Sequence, residues 1–158
     1  MSANKIESFS IIGIAVRTCN SDIQQLTQDM QGLWGRFMAE NIAGMIPNKL
    51  DDNIYCVYTD YEGDYTEPYT ALLGCKVATL DLTPEMQVAN LIGKNFIGGS
   101  YNKYLAQGNL MEGAVFKKWQ EIWSMDLKRA YTADFEVYGV KAQNIADAEV
   151  EIFIGVLE

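Results

Sequence analysis

A chain of 158 residues, 49% of them hydrophobic, carries enough apolar side chain for the core of one domain, and 12 basic against 21 acidic residues leave it at −9. That balance argues against direct nucleic-acid binding, which needs a basic face to displace counterions, and it suits a cationic ligand, which a negative field concentrates. Histidine is absent, which removes Ser-His-Asp and Cys-His catalysis and imidazole metal sites and leaves acid–base chemistry to carboxylates, Tyr, Lys or Cys.

The start of the chain, Met1 to Lys5, has no long apolar run after its charge, so no signal peptide is expected. No run of 18 apolar residues suggests a membrane span. Cys19, Cys56 and Cys75 are odd in number and lack metal or redox spacing. A reducing cytoplasm, no metal and no cofactor are the expectations.

In chain order, residues 8–18 read as a strand apolar on both sides through Ile11, Ile12, Ile14 and Val16, and therefore central. Asn20 or Ser21 would cap a helix over about 21–40, with Ser21 and Gln24 at capping-box spacing and Ile23, Leu26, Met30, Leu33, Trp34 and Phe37 on its apolar stripe. Trp34 reads as core packing. Residues 41–52 form a loop with room for a short helical turn, and Gly44 and Pro47 break any longer element. Ile54–Thr59 and Tyr69–Val77 form a long hairpin around the acidic loop 60–68.

The second half repeats this order. Gln87–Ile97 is an added strand, Gly98-Gly99 a turn, and Ser100–Ala106 an opening strand. Leu110–Met125 is a helix with Val115, Trp119, Ile122 and Trp123 on one stripe. Ala133–Tyr138 is a strand, 139–147 a polar loop, and Ala148–Leu157 the closing strand. Tyr55-Cys56-Val57-Tyr58 aligns with Phe135-Glu136-Val137-Tyr138, and Trp34-Gly35-Arg36-Phe37 with Trp119-Gln120-Glu121-Ile122. The fold class expected is α+β: two β-α-β-β repeats (about 8–78 and 87–157) related by a pseudo-two-fold axis within one domain, 1–158. Helices would cover one face of a curved antiparallel sheet, and a groove would open on the other.

Alternation in 134–138 puts Phe135 and Val137 on one face and Asp134, Glu136 and Tyr138 on the other. In this reading Phe135, Val137, Tyr55 and Val57 pack under the helices, while Glu136, Tyr138, Cys56 and Tyr58 face the groove. A carboxylate among aromatic rings is suited to hold an organic cation. Tyr58, Tyr138, Tyr101 and Trp123 are the candidate rings, each worth about 0.5–2 kcal/mol to a cation over its face. Phe153 is placed on the groove with Glu149 and Glu151. Met38 and Met45 could form an adaptable wall, although packing explains them as well.

The segments 51–61, 96–101, 119–123, 134–138 and 148–154 resemble the GyrI-like family, the effector-binding domain also attached to AraC/XylS-type and multidrug-responsive regulators, and are similar to the stand-alone effector-binding proteins of integron cassettes. The resemblance covers nearly the whole chain. It implies a duplicated fold, a cleft between the repeats, and a buried acidic residue, here Glu136, that recognises lipophilic cations. The effector module occupies all of these residues, so a helix-turn-helix is not expected among them.

Two other classes stay open at this point. Some members of the resembled family hydrolyse reactive small molecules; here Glu136 would activate water with Tyr58 or Tyr138 as proton donor. Cys56 lacks an accompanying base and reads as a filler of core or groove. A protein-binding inhibitor is the third class, with loop 60–65 imitating a nucleic-acid surface. An exposed sheet edge leaves a homodimer open.

Overall fold

The structure is a computed structural model and describes residues 4–157; residues 1–3, where the signal-peptide reading fell, lie outside the described residues. The strands are β1 (Asn4–Ile6), β2 (Phe9–Thr18), β3 (Ile54–Thr59), β4 (Tyr69–Val77), β5 (Ile92–Phe96), β6 (Gly99–Gly108), β7 (Arg129–Tyr138) and β8 (Ala148–Val156). The α-helices are α1 (Ile23–Ala39), α2 (Ile42–Met45), α3 (Pro84–Val88) and α4 (Ala114–Trp123). All strand pairs are antiparallel, in the order β1-β6-β8-β7-β3-β4-β2-β5.

The central six strands read as a palindrome of two repeats, β2-α1-β3-β4 and β6-α4-β7-β8, joined where β3 pairs with β7. The edge strands are exchanged: β1, which precedes the first repeat, pairs with β6 of the second, and β5, which precedes the second, pairs with β2 of the first. This exchange dictates the shape of the sheet. Residues 7–8 link β1 to β2 and residues 97–98 link β5 to β6, yet each linked pair stands six places apart in the sheet. Six spacings would separate them by roughly 29 Å in a flat sheet, whereas such a link reaches only about 10 Å. The sheet therefore curls enough to bring the linked strand ends together, giving an antiparallel half-barrel.

Curling decides which face is open. Phe9, Ile11, Tyr55, Val57, Leu72, Phe96, Tyr101 and Phe135 form a buried cluster on the helix-free face, with Val137 and Phe153 packed against it. Phe135 lies 5.0 Å from Phe9 and 5.3 Å from Tyr101, ring centre to ring centre, so residues from both repeats seal that face. The expected groove there does not exist. The other face carries the helices: Leu33 and Phe37 of α1 pack with Ile12, Cys56 and Leu73, and Trp119 and Ile122 of α4 pack with Val150, Ile152 and Ile154. The fold class holds, but the two faces of β3 and β7 are assigned the wrong way round in the sequence reading. Alternation fixes which residues share a face; sheet curvature fixes which face the helices take.

Local boundaries also differ. Gln87–Ile97 is not one strand, because Thr83 Oγ1 accepts from Met86 N, 3.2 Å, and Pro84 opens α3 ahead of β5. The cap of α1 is Asp22, whose Oδ1 accepts from Gln25 N at 3.1 Å. The second helix begins at Ala114, after a 3-10 turn at Leu110–Glu112.

Candidate functional site

Two helices cannot cover a face six strands wide, and the gap between α1 and α4 is a cavity of about 300 Å3 over the β3–β7 seam. Leu26, Met30 and Trp34 of α1 form one wall and Val115, Phe116, Trp119 and Trp123 of α4 the other. Tyr58, Tyr69, Glu136 and Tyr138 form the floor. Tyr61 and Tyr65, from the loop between β3 and β4, close one end together with Arg129.

Glu136 is 1% exposed. Its Oε1 accepts from the Tyr138 hydroxyl at 2.6 Å. Its Oε2 accepts from the Tyr58 hydroxyl at 2.8 Å and from Trp119 Nε1 at 2.5 Å. All three donors are neutral, and among the described residues no Lys or Arg forms an ion pair with it. Burial pushes the Glu136 carboxyl above its ordinary range, and the bonds from Tyr138, Trp119 and Tyr58 pull it partway back. Burial likewise raises both floor phenols, Tyr58 and Tyr138, with the neighbouring Glu136 adding to the shift. The rings brace one another: Trp34 meets Tyr138 edge-on at 4.7 Å, and Tyr58 meets Trp119 edge-on at 5.4 Å.

A second buried carboxylate has a different environment. Asp134 Oδ2 accepts from Arg129 Nη2 at 2.7 Å and from the Tyr61 hydroxyl, and Oδ1 accepts from Gly155 N at 2.8 Å. Burial raises the Asp134 carboxyl, opposed by Arg129 and the other donors. Burial lowers the Arg129 guanidinium, but its partners, Asp134 foremost, raise it on balance. Thus Glu136 is the carboxylate that lines the cavity, held only by neutral donors, while Asp134 lies behind the wall and is neutralised by Arg129, which does line it.

Of the residues singled out from sequence, Glu136, Tyr138, Tyr58 and Trp123 come together on this cavity. Tyr101 and Phe153 do not: both belong to the aromatic cluster on the helix-free face, because β6 and β8 alternate in step with Phe135. Cys56 shares Glu136's face but is fully buried in the core beneath α1. Met38 is exposed and Met45 packs against the core; the methionine on the wall is Met30. Trp34 and Trp119, read as core stripes, line the cavity as well. Two acids of the loop between β3 and β4 are ion-paired at the surface, Asp60 with Lys94 at 2.5 Å and Glu62 with Arg17 at 2.7 Å, and its tyrosines, Tyr61 and Tyr65, face the cavity.

The family model described as Cass2, integron-associated effector binding protein, matches residues 4–156. The solved integron cassette protein VCH_CASS2, from the mobile metagenome of Vibrio cholerae, is 28% identical and superposes with a TM-score of 0.72 over 98% of this chain and 94% of its own. SAV2435, solved bound to tetraphenylphosphonium, is 19% identical, with a TM-score of 0.74 over 98% of this chain and 92% of its own. YobU of Bacillus subtilis (strain 168), a protein provisionally described as a transcriptional regulator, is 24% identical over 147 residues, 91% of this chain and 89% of YobU. No helix among the described residues is long and apolar enough to cross a membrane.

Proposed function

The chain belongs to the family of integron-associated effector-binding proteins, and from that premise we propose that its cavity binds a lipophilic organic cation, with Glu136 supplying the charge and the surrounding rings the surface. One observation carries this reading: Glu136 is buried at an aromatic cavity with three hydrogen-bond donors and no ion-pair partner among the described residues. Removing a carboxylate from water is costly unless an opposite charge meets it. A cation at about 4 Å would attract it by roughly 4 kcal/mol at an effective dielectric near 20, before the ligand's own desolvation.

The size and chemistry of the walls suit such a guest. A cavity of about 300 Å3 lined mainly by rings takes a few-ringed molecule. Ring faces add cation–π attraction without demanding a fixed ligand geometry, which favours a protein that accepts several related cations. The tetraphenylphosphonium held by SAV2435 has this chemistry.

Binding is favoured over turnover. The two phenols that could donate a proton to a leaving group, Tyr58 and Tyr138, are both pushed above their ordinary range and already donate to Glu136. Titration calorimetry with tetraphenylphosphonium and with triphenylphosphine, a neutral relative without an oxygen acceptor, tests the proposal. The cation binds to the wild type at least tenfold tighter than the neutral compound, and Glu136→Gln removes most of that preference. Equal affinities for both compounds would refute it.

A further inference from the structure

We infer that Arg129 and Trp123 form a second polar subsite in the cavity, which takes a hydrogen-bond acceptor carried by the bound cation, such as a carboxylate, ester or sulfonyl oxygen. The inference rests on the cation-binding reading and names the rest of the ligand: a bipolar aromatic molecule with its positive end toward Glu136 and an acceptor toward Arg129.

The unpaired donors point to it. Arg129 Nη2 donates to Asp134, but Arg129 Nε and Nη1 are buried and have no partner among the described residues; the same holds for Trp123 Nε1. Buried donors without partners are rare, because each forfeits its bond to water. Four such side-chain atoms occur among the described residues, and three of them belong to these two residues of the cavity wall. Arg129 is itself 9% exposed.

The two side chains are gathered around one ring. Tyr65 stacks on Trp123 at 5.6 Å and 11°, and the Arg129 guanidinium carbon lies 6.0 Å from the Tyr65 ring centre. Their placement is built into the backbone. Arg129 pairs with Val156 and Asp134 with Ile154, so β7 carries three more residues than β8 across this interval. Within that bulge Tyr131 has φ +54°, an uncommon conformation for a bulky residue, and its ring lies 4.5 Å from the Arg129 guanidinium. The bulge folds Arg129 back onto Asp134, which orients one N–H edge and leaves the others without partners. Because Asp134 already neutralises the arginine, the subsite offers donors more than net charge, and an uncharged acceptor suffices.

A matched pair of dyes tests this by calorimetry on the full chain: a rhodamine ethyl ester and the rosamine with the same xanthylium cation but no acceptor on its pendant ring. The wild type binds the ester about three- to tenfold tighter, the size of one net hydrogen bond. Trp123→Phe and Arg129→Lys, the latter chosen to keep a cation for Asp134, each bring that ratio toward one. Trp123→Phe carries the test alone if Arg129→Lys fails to fold by circular dichroism. Equal affinity for the two dyes in the wild type, as when water alone satisfies these donors, overturns the inference, as does a ratio unchanged by Trp123→Phe. Tetraphenylphosphonium separates the two failures: if it binds while the dyes are equal, only the acceptor subsite falls, and if no cation binds, both readings fall.

Discussion

Cys56 and Glu136 stand directly opposite one another where β3 pairs with β7, and they are also the equivalent residues of the two repeats. Their neighbours obey the same symmetry, Tyr55 opposite Val137 and Val57 opposite Phe135. The pseudo-two-fold axis therefore passes between a thiol and a carboxylate. Two carboxylates there would repel one another, and each would push the other's pKa further up. With a small apolar-like thiol at one position, the other can hold the cavity's single uncompensated charge.

The first prediction concerns that thiol. Cys56 is fully buried, and burial, then the charge of Glu136, pushes it well above its ordinary range. Cys75 is pushed up to about 11 by burial. In the native protein at pH 8, a disulfide reagent modifies Cys19 alone, and all three thiols react in guanidinium chloride. Rapid modification of Cys56 in the native state would show that the seam is open to solvent.

Glu136 makes the stability of the empty protein depend on pH, with a definite sign. Its folded pKa is raised above the ordinary value of 4.5, so the folded state holds a proton that the unfolded chain has released. That contribution is fully present below the unfolded value and is lost as pH rises through the folded one. Glu136→Gln therefore gains melting temperature relative to the wild type as pH increases from 4.5 toward neutrality, and the difference levels off above the folded pKa. A difference that is constant across this range would mean that Glu136 titrates as it does in the unfolded chain.

Tyr138 donates the one hydrogen bond that Glu136 Oε1 accepts, 2.6 Å, and that bond holds the carboxyl down. Tyr138→Phe removes only the hydroxyl. It costs about 1.5–3 kcal/mol where Glu136 is ionised, the usual worth of a hydrogen bond to a charged group. The variant also moves the pH midpoint of cation binding upward. Chemical denaturation at pH 8 and cation titrations across pH check the two effects independently.

Asp134 acts on the cavity through Arg129, which lines it. Its carboxylate is buried with Arg129, Tyr61 and Gly155 N as partners. Asp134→Ala strands a buried guanidinium and costs about 3–5 kcal/mol. Asp134→Asn keeps one acceptor oxygen but turns a donating NH2 toward the remaining donors, so it recovers only part of that loss. Equal stability of wild type and Asp134→Ala in urea would show that the ion pair does not hold the bulge in β7.

The sequence is most informative where periodicity speaks. Alternation in Ile54–Thr59 and Ala133–Tyr138 groups Cys56, Tyr58, Glu136 and Tyr138 on one face, and the local match of the halves gives the repeat order. It does not say which face the helices take, because that depends on the exchanged pairing of β1 and β5, short strands whose partners lie far along the chain. Tyr101 and Phe153 are misplaced for a different reason: the register that sets Phe153 opposite Phe135 and Tyr101 opposite Gly155 puts them on the face away from Glu136, and periodicity within one strand does not report register. Periodicity also cannot separate a tryptophan that fills a core from one that borders a cavity, so Trp34 reads as packing and Trp119 as one member of an apolar stripe. Arg129 lies just ahead of the strand read from Ala133, and the bulge that returns it to Asp134 has no periodic signature. By contrast, Thr83-Pro84-Glu85 carried a legible helix start that the long-strand reading of 87–97 overlooked.

The central claim is that an ionised Glu136 selects a cation, and the pH profile of tetraphenylphosphonium affinity tests it most directly. The account predicts that the wild-type Kd falls as pH rises from 4.5 through the raised Glu136 pKa, with release of up to one proton per cation bound, and that Glu136→Gln binds weakly with a flat profile. Binding by Glu136→Gln as tight as by the wild type, with neither profile changing between pH 4.5 and 8, would contradict it.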